Sequence, residues 1–254
     1  MSLLARLTVR NHRGTRVPAV LGIGLVAGGA LAVAGSIARG WVDAAGAVAS
    51  GAALMVALAG FVDDLAPSGP RGLREHLRAL VRGRVSTGAV KLFVISAASL
   101  VTVAAGARPE GLVRLCGAVL IAGAANLWNG LDVRPGRALK WFLVVAATGL
   151  MWMPDTGPFA IGVAAAALLL LLPDLREVAM LGDAGANLLG FTAGLALYVR
   201  GPAPWIPFEA AGVVVLNIAA ETVSLSRVIE ALPPVRWFDR LGVRLPDRTE
   251  ETGS

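Results

Sequence analysis

Apolar residues along this chain run in blocks rather than in the alternating or one-face patterns of a water-soluble fold. Nearly unbroken apolar stretches cover residues 18–38, 44–62, 88–107, 111–128, 139–153, 158–173, 184–200 and 206–224. A helix that crosses a bilayer needs about 20 mostly apolar residues. The eight stretches therefore predict eight transmembrane helices, of which the fifth and sixth are short enough to be tilted or broken. Ala and Gly recur within the blocks, and small residues let helices approach closely where lipid supplies no hydrophobic drive. The predicted fold class is all-α: a polytopic membrane helix bundle forming one domain over residues 1–254, with a basic arm at 1–17, the bundle at 18–224 and a tail at 225–254.

Composition agrees with that pattern. Of 254 residues 56% are hydrophobic and 16% charged, with a mean hydropathy of +0.70, more apolar than a soluble domain. The basic residues then set the orientation. If the N-terminus is cytoplasmic, all 23 Lys and Arg except Arg39, Arg108, Arg114 and Arg200 fall in segments that alternation assigns to the cytoplasm, as the positive-inside rule requires. Both termini are thus expected inside. A net charge of +6 follows from this orientation and from attraction to anionic lipid, so no nucleic-acid partner is expected.

Two local features change little. Residues 1–34 imitate a secretory signal, with Ala32-Val33-Ala34 at the place of a cleavage site; the run is long enough to span and is one of a series, so an uncleaved anchor is expected. The single Cys116 excludes an intrachain disulfide. His12 and His76 are the only histidines, and no cluster has zinc-ligand spacing.

Polar groups at the ends of spans carry more information, because they are costly in lipid and concentrate where function is. Four clusters fall at predicted cytoplasmic ends. Asp63 and Asp64 close the second span; adjacent carboxylates repel unless a cation or proton neutralises them, which suits Mg²⁺ or an acid/base pair. Acids at a helix C-terminus also oppose the macrodipole. Asn126-Leu127-Trp128-Asn129-Gly130-Leu131-Asp132, with Arg134 and Arg137 after it, offers amides, a glycine and guanidiniums to a nucleotide, or equally a plain interhelical turn. Asp183, in Gly182-Asp183-Ala184-Gly185, stands where a carboxylate caps a helix or holds a metal beside phosphate-facing N–H groups. Asn11 to Pro18 form a basic arm with turn residues.

Taken in order, these motifs resemble the polyprenyl-phosphate N-acetylhexosamine-1-phosphate transferases, the superfamily of phospho-N-acetylmuramoyl-pentapeptide transferase and undecaprenyl-phosphate N-acetylglucosamine-1-phosphate transferase. The likeness covers roughly residues 11–244. It implies a multi-pass protein of the bacterial cytoplasmic membrane that transfers a sugar-1-phosphate from a UDP-sugar to a polyprenyl phosphate lipid, releases UMP and serves envelope glycan synthesis. Asp63, Asp64 and Asp183 would then be catalytic residues and ligands of Mg²⁺, or Mn²⁺ in its place. Asn126, Asn129, Gly130, Leu131, Asp132, Arg137, Lys91 and Arg71 would bind substrate, and the expected assembly is a homodimer. The chain departs from the family in three places: Asn129 stands where an aspartate is usual, the span that normally precedes the arm is expected to be lacking, and the histidine-rich motif has no counterpart. Those departures define the competing reading, a catalytically silent relative that binds polyprenyl phosphate or scaffolds envelope assembly. A small-solute transporter is a weaker alternative, since transporters place polar sites near the bilayer midplane.

Overall fold

The computed structural model of the chain describes residues 7–65, 81–83, 85–108, 111–148, 157–223 and 225–243. The protein is nearly all helix. A lipid-facing backbone must satisfy its own N–H and C=O groups, which leaves an apolar block little choice but the helix. The blocks become α1 (Leu21–Ile37), α2 (Ala44–Leu65), α3 (Thr87–Ala105), α4 (Leu112–Leu131), α5 (Arg137–Ala147), α6 (Gly157–Leu175), α7 (Gly182–Arg200) and α8 (Ile206–Thr222). Two short helices, α9 (Leu225–Ala231) and α10 (Pro233–Arg240), lie in the described part of the tail.

Among the described residues, five helical segments are long and apolar enough to cross a membrane: α2, α3, α4, α6 and the stretch Ala203–Thr222 that contains α8. The other three blocks differ for separate reasons. The 17 residues of α1 reach about 25 Å at 1.5 Å per residue, slightly short of a hydrocarbon core of about 30 Å. The 11 residues of α5 reach only about 16 Å, and the end of that block lies outside the described residues. In α7, polar residues interrupt the apolar run, and 14 of its 19 residues are buried within the protein.

That enclosure makes α7 the axis of the bundle, flanked by α1, α2, α4 and α5. Small residues make it possible. A Cβ on Gly190 would stand 2.3 Å from the Ala124 carbonyl oxygen, and one on Gly194 would stand 2.8 Å from the Ile121 Cα. On the next seam, between α1 and α6, a Cβ on Gly162 would lie 2.2 Å from the Gly28 oxygen.

The basic arm is a small hairpin. Strand β1 (Thr8–Arg10) pairs antiparallel with β2 (Arg16–Pro18), with Val9 opposite Val17. Asn11 closes the turn, its Oδ1 accepting the N–H groups of Arg13 (3.0 Å) and Thr15 (2.8 Å). A bridge between Ala19 and Met180 and an Asn11–Glu177 hydrogen bond fasten the hairpin to the loop before α7.

Candidate functional site at one end of the bundle

The last turn of α2 brings Asp63 and Asp64 to the N-terminus of α7. Gly60 lets the backbones meet there, since a Cβ on it would stand 2.7 Å from the Ala184 nitrogen. Asp64 uses both oxygens on the start of α7, accepting the N–H of Asp183 (2.8 Å) and of Ala184 (3.1 Å). The Gly182 N–H donates to the carboxylate of Asp132, just past the end of α4. Two acids from other helices thus satisfy three of the four orphan donors of α7 and sit at the positive end of its dipole. These donors are engaged within the protein, so they do not present themselves as a phosphate cradle. Gly182 has φ +68°, and a Cβ there would stand 2.7 Å from Asp64 Oδ2, so the close approach needs glycine.

Asp183 itself sits one residue inside α7 and does not cap the helix: its side chain turns toward α3. Lys91 Nζ lies 2.7 Å from Asp63 Oδ2 and also ion-pairs with Asp183. The Lys91 side chain is only 8% exposed, so its ammonium has little water and depends on the two carboxylates. The Thr87 hydroxyl adds a hydrogen bond to Asp63, and Asn187 donates to the Asp183 carbonyl (2.6 Å). Burial, reinforced by the neighbouring Asp174, Asp183 and Asp64, pushes the pKa of Asp132 well above the usual carboxylate range. The four predicted acids Asp63, Asp64, Asp132 and Asp183 therefore meet at one end of the bundle. Among the described residues, no three His, Cys, Asp or Glu side chains form a group that could hold a metal ion. Lys91 supplies the cation that Asp63 and Asp183 share.

Lys91 also lines a polar cavity of about 230 Å³ between α3, α4 and α8. Asn126, Asn129 and Gly130 lie on its wall, together with Asn217 and Glu221 of α8. Asn126 donates to Asn217 Oδ1 (2.6 Å), and Asn217 in turn donates to the carbonyls of Gly123 and Val213. A larger, mainly apolar groove of about 620 Å³ continues from it along the same three helices, sharing Leu92, Asn126, Asn217 and Glu221 with the polar cavity.

The remaining expected residues lie elsewhere. Leu131 packs against the hydrophobic core. Arg137 is fully buried and clamps the tail: its Nε and Nη2 donate to the two oxygens of Asp239 (2.7 and 2.8 Å), and its Nη1 donates to Ser226 (2.9 Å). That guanidinium faces the tail rather than the cavity. Arg71 lies outside the described residues. Sequence reasoning passed over Asn217, Glu221, Asp174 and Asp239. Asn217 carried a signal, being an amide inside an apolar block. Asp174, which accepts the Gly136 N–H (2.9 Å), and Asp239 carried none, because their partners are distant in sequence.

No protein-family model matches the chain, and no curated protein does so either.

Proposed function

We propose that the chain spans a bacterial inner membrane eight times with both termini in the cytoplasm, and that it is a phosphoglycosyl transferase of envelope glycan synthesis. It moves a sugar-1-phosphate from a UDP-sugar to a polyprenyl phosphate. One observation carries the reading: Asp63, Lys91 and Asp183, from three separate helices, meet beside a polar cavity that opens into an apolar groove. Such a site suits a substrate pair with charged phosphates at one end and a long hydrocarbon at the other.

In this reading the groove between α3, α4 and α8 takes the polyprenyl chain, and Asn126, Asn129 and Gly130 face the nucleotide. Lys91, held by two carboxylates, offsets phosphate charge as two anions approach. An oxygen of the lipid phosphate attacks the phosphorus that bears the sugar, the bond bridging the two phosphorus atoms breaks, and UMP leaves with that bridging oxygen. Asp63 and Asp183, already joined through one cation, are the residues that would hold Mg²⁺ or Mn²⁺, and a bound ion would supply further charge neutralisation. Asp64 fixes the start of α7, and with it the Asp183 side chain. The homodimer expected from the family resemblance is read from the size of the detergent-solubilised protein.

A second reading rests on Lys91. An ammonium already between Asp63 and Asp183 occupies the place where a metal ion would sit, as expected of a silent relative that binds polyprenyl phosphate or scaffolds assembly. Membranes containing the chain, given Mg²⁺, polyprenyl phosphate and a panel of UDP-sugars labelled in the sugar, decide between them. Transferase activity appears as label in the lipid phase with stoichiometric UMP, lost in folded Asp63→Asn and Asp183→Asn variants. No UMP with any sugar, together with retained polyprenyl-phosphate binding, selects the silent relative. Absence of both turnover and binding removes the two readings together.

A further inference from the structure

The tail hairpin is held on one side and open on the other. Its inner side is fastened to α5: Arg137 pairs with Asp239, and Lys140 Nζ donates to the carbonyls of Phe238 (3.0 Å), Asp239 and Leu241 (3.2 Å). Trp141 meets the Phe238 ring edge-on, with centroids 5.1 Å apart. These contacts fix α10 alongside the first turn of α5. The connection fixes it too, because α8 ends at Thr222 and α9 begins at Leu225. The hairpin therefore leaves the bundle at the level where the helices end.

The other side of α10 follows helical spacing. Pro233, Arg236, Trp237 and Arg240 are separated by three, one and three residues, which puts them on one face of the helix, and all four are exposed. Trp237 is 67% exposed, with Leu232 and Leu241 also exposed at the two ends of the helix. The two acids of the hairpin are already matched, Asp239 by Arg137 and Glu230 by Arg134 and Arg240. The outward surface, with Arg227 and Arg236 added, is therefore cationic. An amphipathic aromatic ring between guanidiniums, at the end of a membrane bundle, matches the headgroup layer, where Trp partitions and arginines meet lipid phosphates.

We propose that this face of α10 lies on the inner leaflet and binds the headgroups of anionic phospholipids, with Trp237 seated among them. The hairpin then ties α5 and the tail to the membrane surface. The choice of lipid over a cytosolic protein follows from the depth set by α5 and α8 and, among the described residues of the hairpin, from the excess of arginine over unmatched acid. The assignment to the inner leaflet rests on the proposed orientation of the bundle, and not on transferase activity.

The test uses the full chain in nanodiscs of phosphatidylcholine alone or with phosphatidylglycerol, reading amide hydrogen exchange over residues 225–243. Exchange in α10 should slow about tenfold when phosphatidylglycerol is present. The double variant Arg236→Gln/Trp237→Ala leaves the Arg137, Lys140 and Glu230 side-chain contacts in place and gives up only the long, exposed bond from Arg236 to the Glu230 carbonyl (3.4 Å), so in phosphatidylcholine its exchange should stay close to that of the parent. With phosphatidylglycerol its slowing should vanish. Quenching by phospholipids brominated near the headgroup gives an independent readout: Trp237→Phe should remove a quenched component of the tryptophan emission. Equal exchange in the two lipids, the result also expected if the face serves a protein, overturns the proposal. So does slowing that survives in the double variant, or a quenched component unchanged by Trp237→Phe.

Discussion

Asp63 and Asp183 approach one another across a single ammonium, so the energy of this pair rests on Lys91. In a site with little water, two carboxylates without a cation repel strongly, and one of them must bind a proton or recruit another cation. Lys91→Met should therefore lower the thermal unfolding temperature in EDTA and make it respond to Mg²⁺. An ion present at 100 times its dissociation constant returns about 2.7 kcal/mol, so a rise of several degrees in the variant, against little in the parent, is the expected outcome. An unfolding temperature equally insensitive to Mg²⁺ in both would show that Asp63 and Asp183 do not form a latent cation site. Asp64 plays a different part despite being next in sequence. Its oxygens accept the Asp183 and Ala184 N–H groups, and loss of a helix cap costs about 1–2 kcal/mol. Asp64→Ala should lose that much in chemical unfolding with no dependence on Mg²⁺, while Asp64→Asn, which keeps an acceptor oxygen, should lose less.

At the scale of elements, the seam between α4 and α7 is set by backbone proximity rather than by large side chains. Gly190→Ala gains up to about 1 kcal/mol of helix propensity but drives a methyl to 2.3 Å from the Ala124 oxygen, and overpacking costs about 1–3 kcal/mol. Sterics win, and the variant should melt lower. Gly212→Ala on α8, which meets nothing within 4 Å, should melt at the same temperature or higher. The tail is governed by charge. Truncating Asp239 strands the fully buried Arg137, a loss of about 3–5 kcal/mol that should appear as fast exchange throughout α9 and α10. Although burial opposes it, the Arg137 guanidinium holds Asp239 below its ordinary pKa. Its contribution is therefore complete above the unfolded value of about 3.9 and is lost as pH falls through the lower folded value; tail exchange measured on acidification should accelerate in that window and not near neutrality. The helices themselves were legible in the sequence, because apolar blocks leave few alternatives in lipid. So were Asp63, Asp64, Asp132 and Asp183 as residues at helix ends. Their division of labour was not: whether a carboxylate meets an ammonium or a backbone N–H depends on which helix ends adjoin, and hydropathy says nothing of that. Arg137 illustrates the point, since its partner Asp239 lies 102 residues away.

Across the whole molecule, the polar contacts collect the ends of successive helices in alternation. The end of α2 meets the starts of α3 and α7 through Lys91 and Asp64, and the end of α4 reaches Gly182 through Asp132. The end of α6 reaches the α4–α5 connection through the bond from the Gly136 N–H to Asp174. The start of α5 and the end of α6 therefore lie at this same end, so whatever joins them outside the described residues, the count of crossings keeps its parity. Parity is what the eight-span topology needs, and it makes that topology testable at two ends of the protein. In a Cys116→Ala background, His12→Cys and Val228→Cys would report the end that carries the acids, and Trp205→Cys, 60% exposed in the turn between α7 and α8, the opposite end. With the positive-inside orientation, a membrane-impermeant maleimide should label only Trp205→Cys in intact cells with a permeabilised outer envelope, and all three after lysis. Labelling of His12→Cys and not Trp205→Cys before lysis would invert the protein and put the acidic cluster outside, away from any nucleotide sugar. Labelling of His12→Cys and Trp205→Cys together would mean that an odd helix fails to cross, and α5, the shortest of the eight, is where that failure would first be sought.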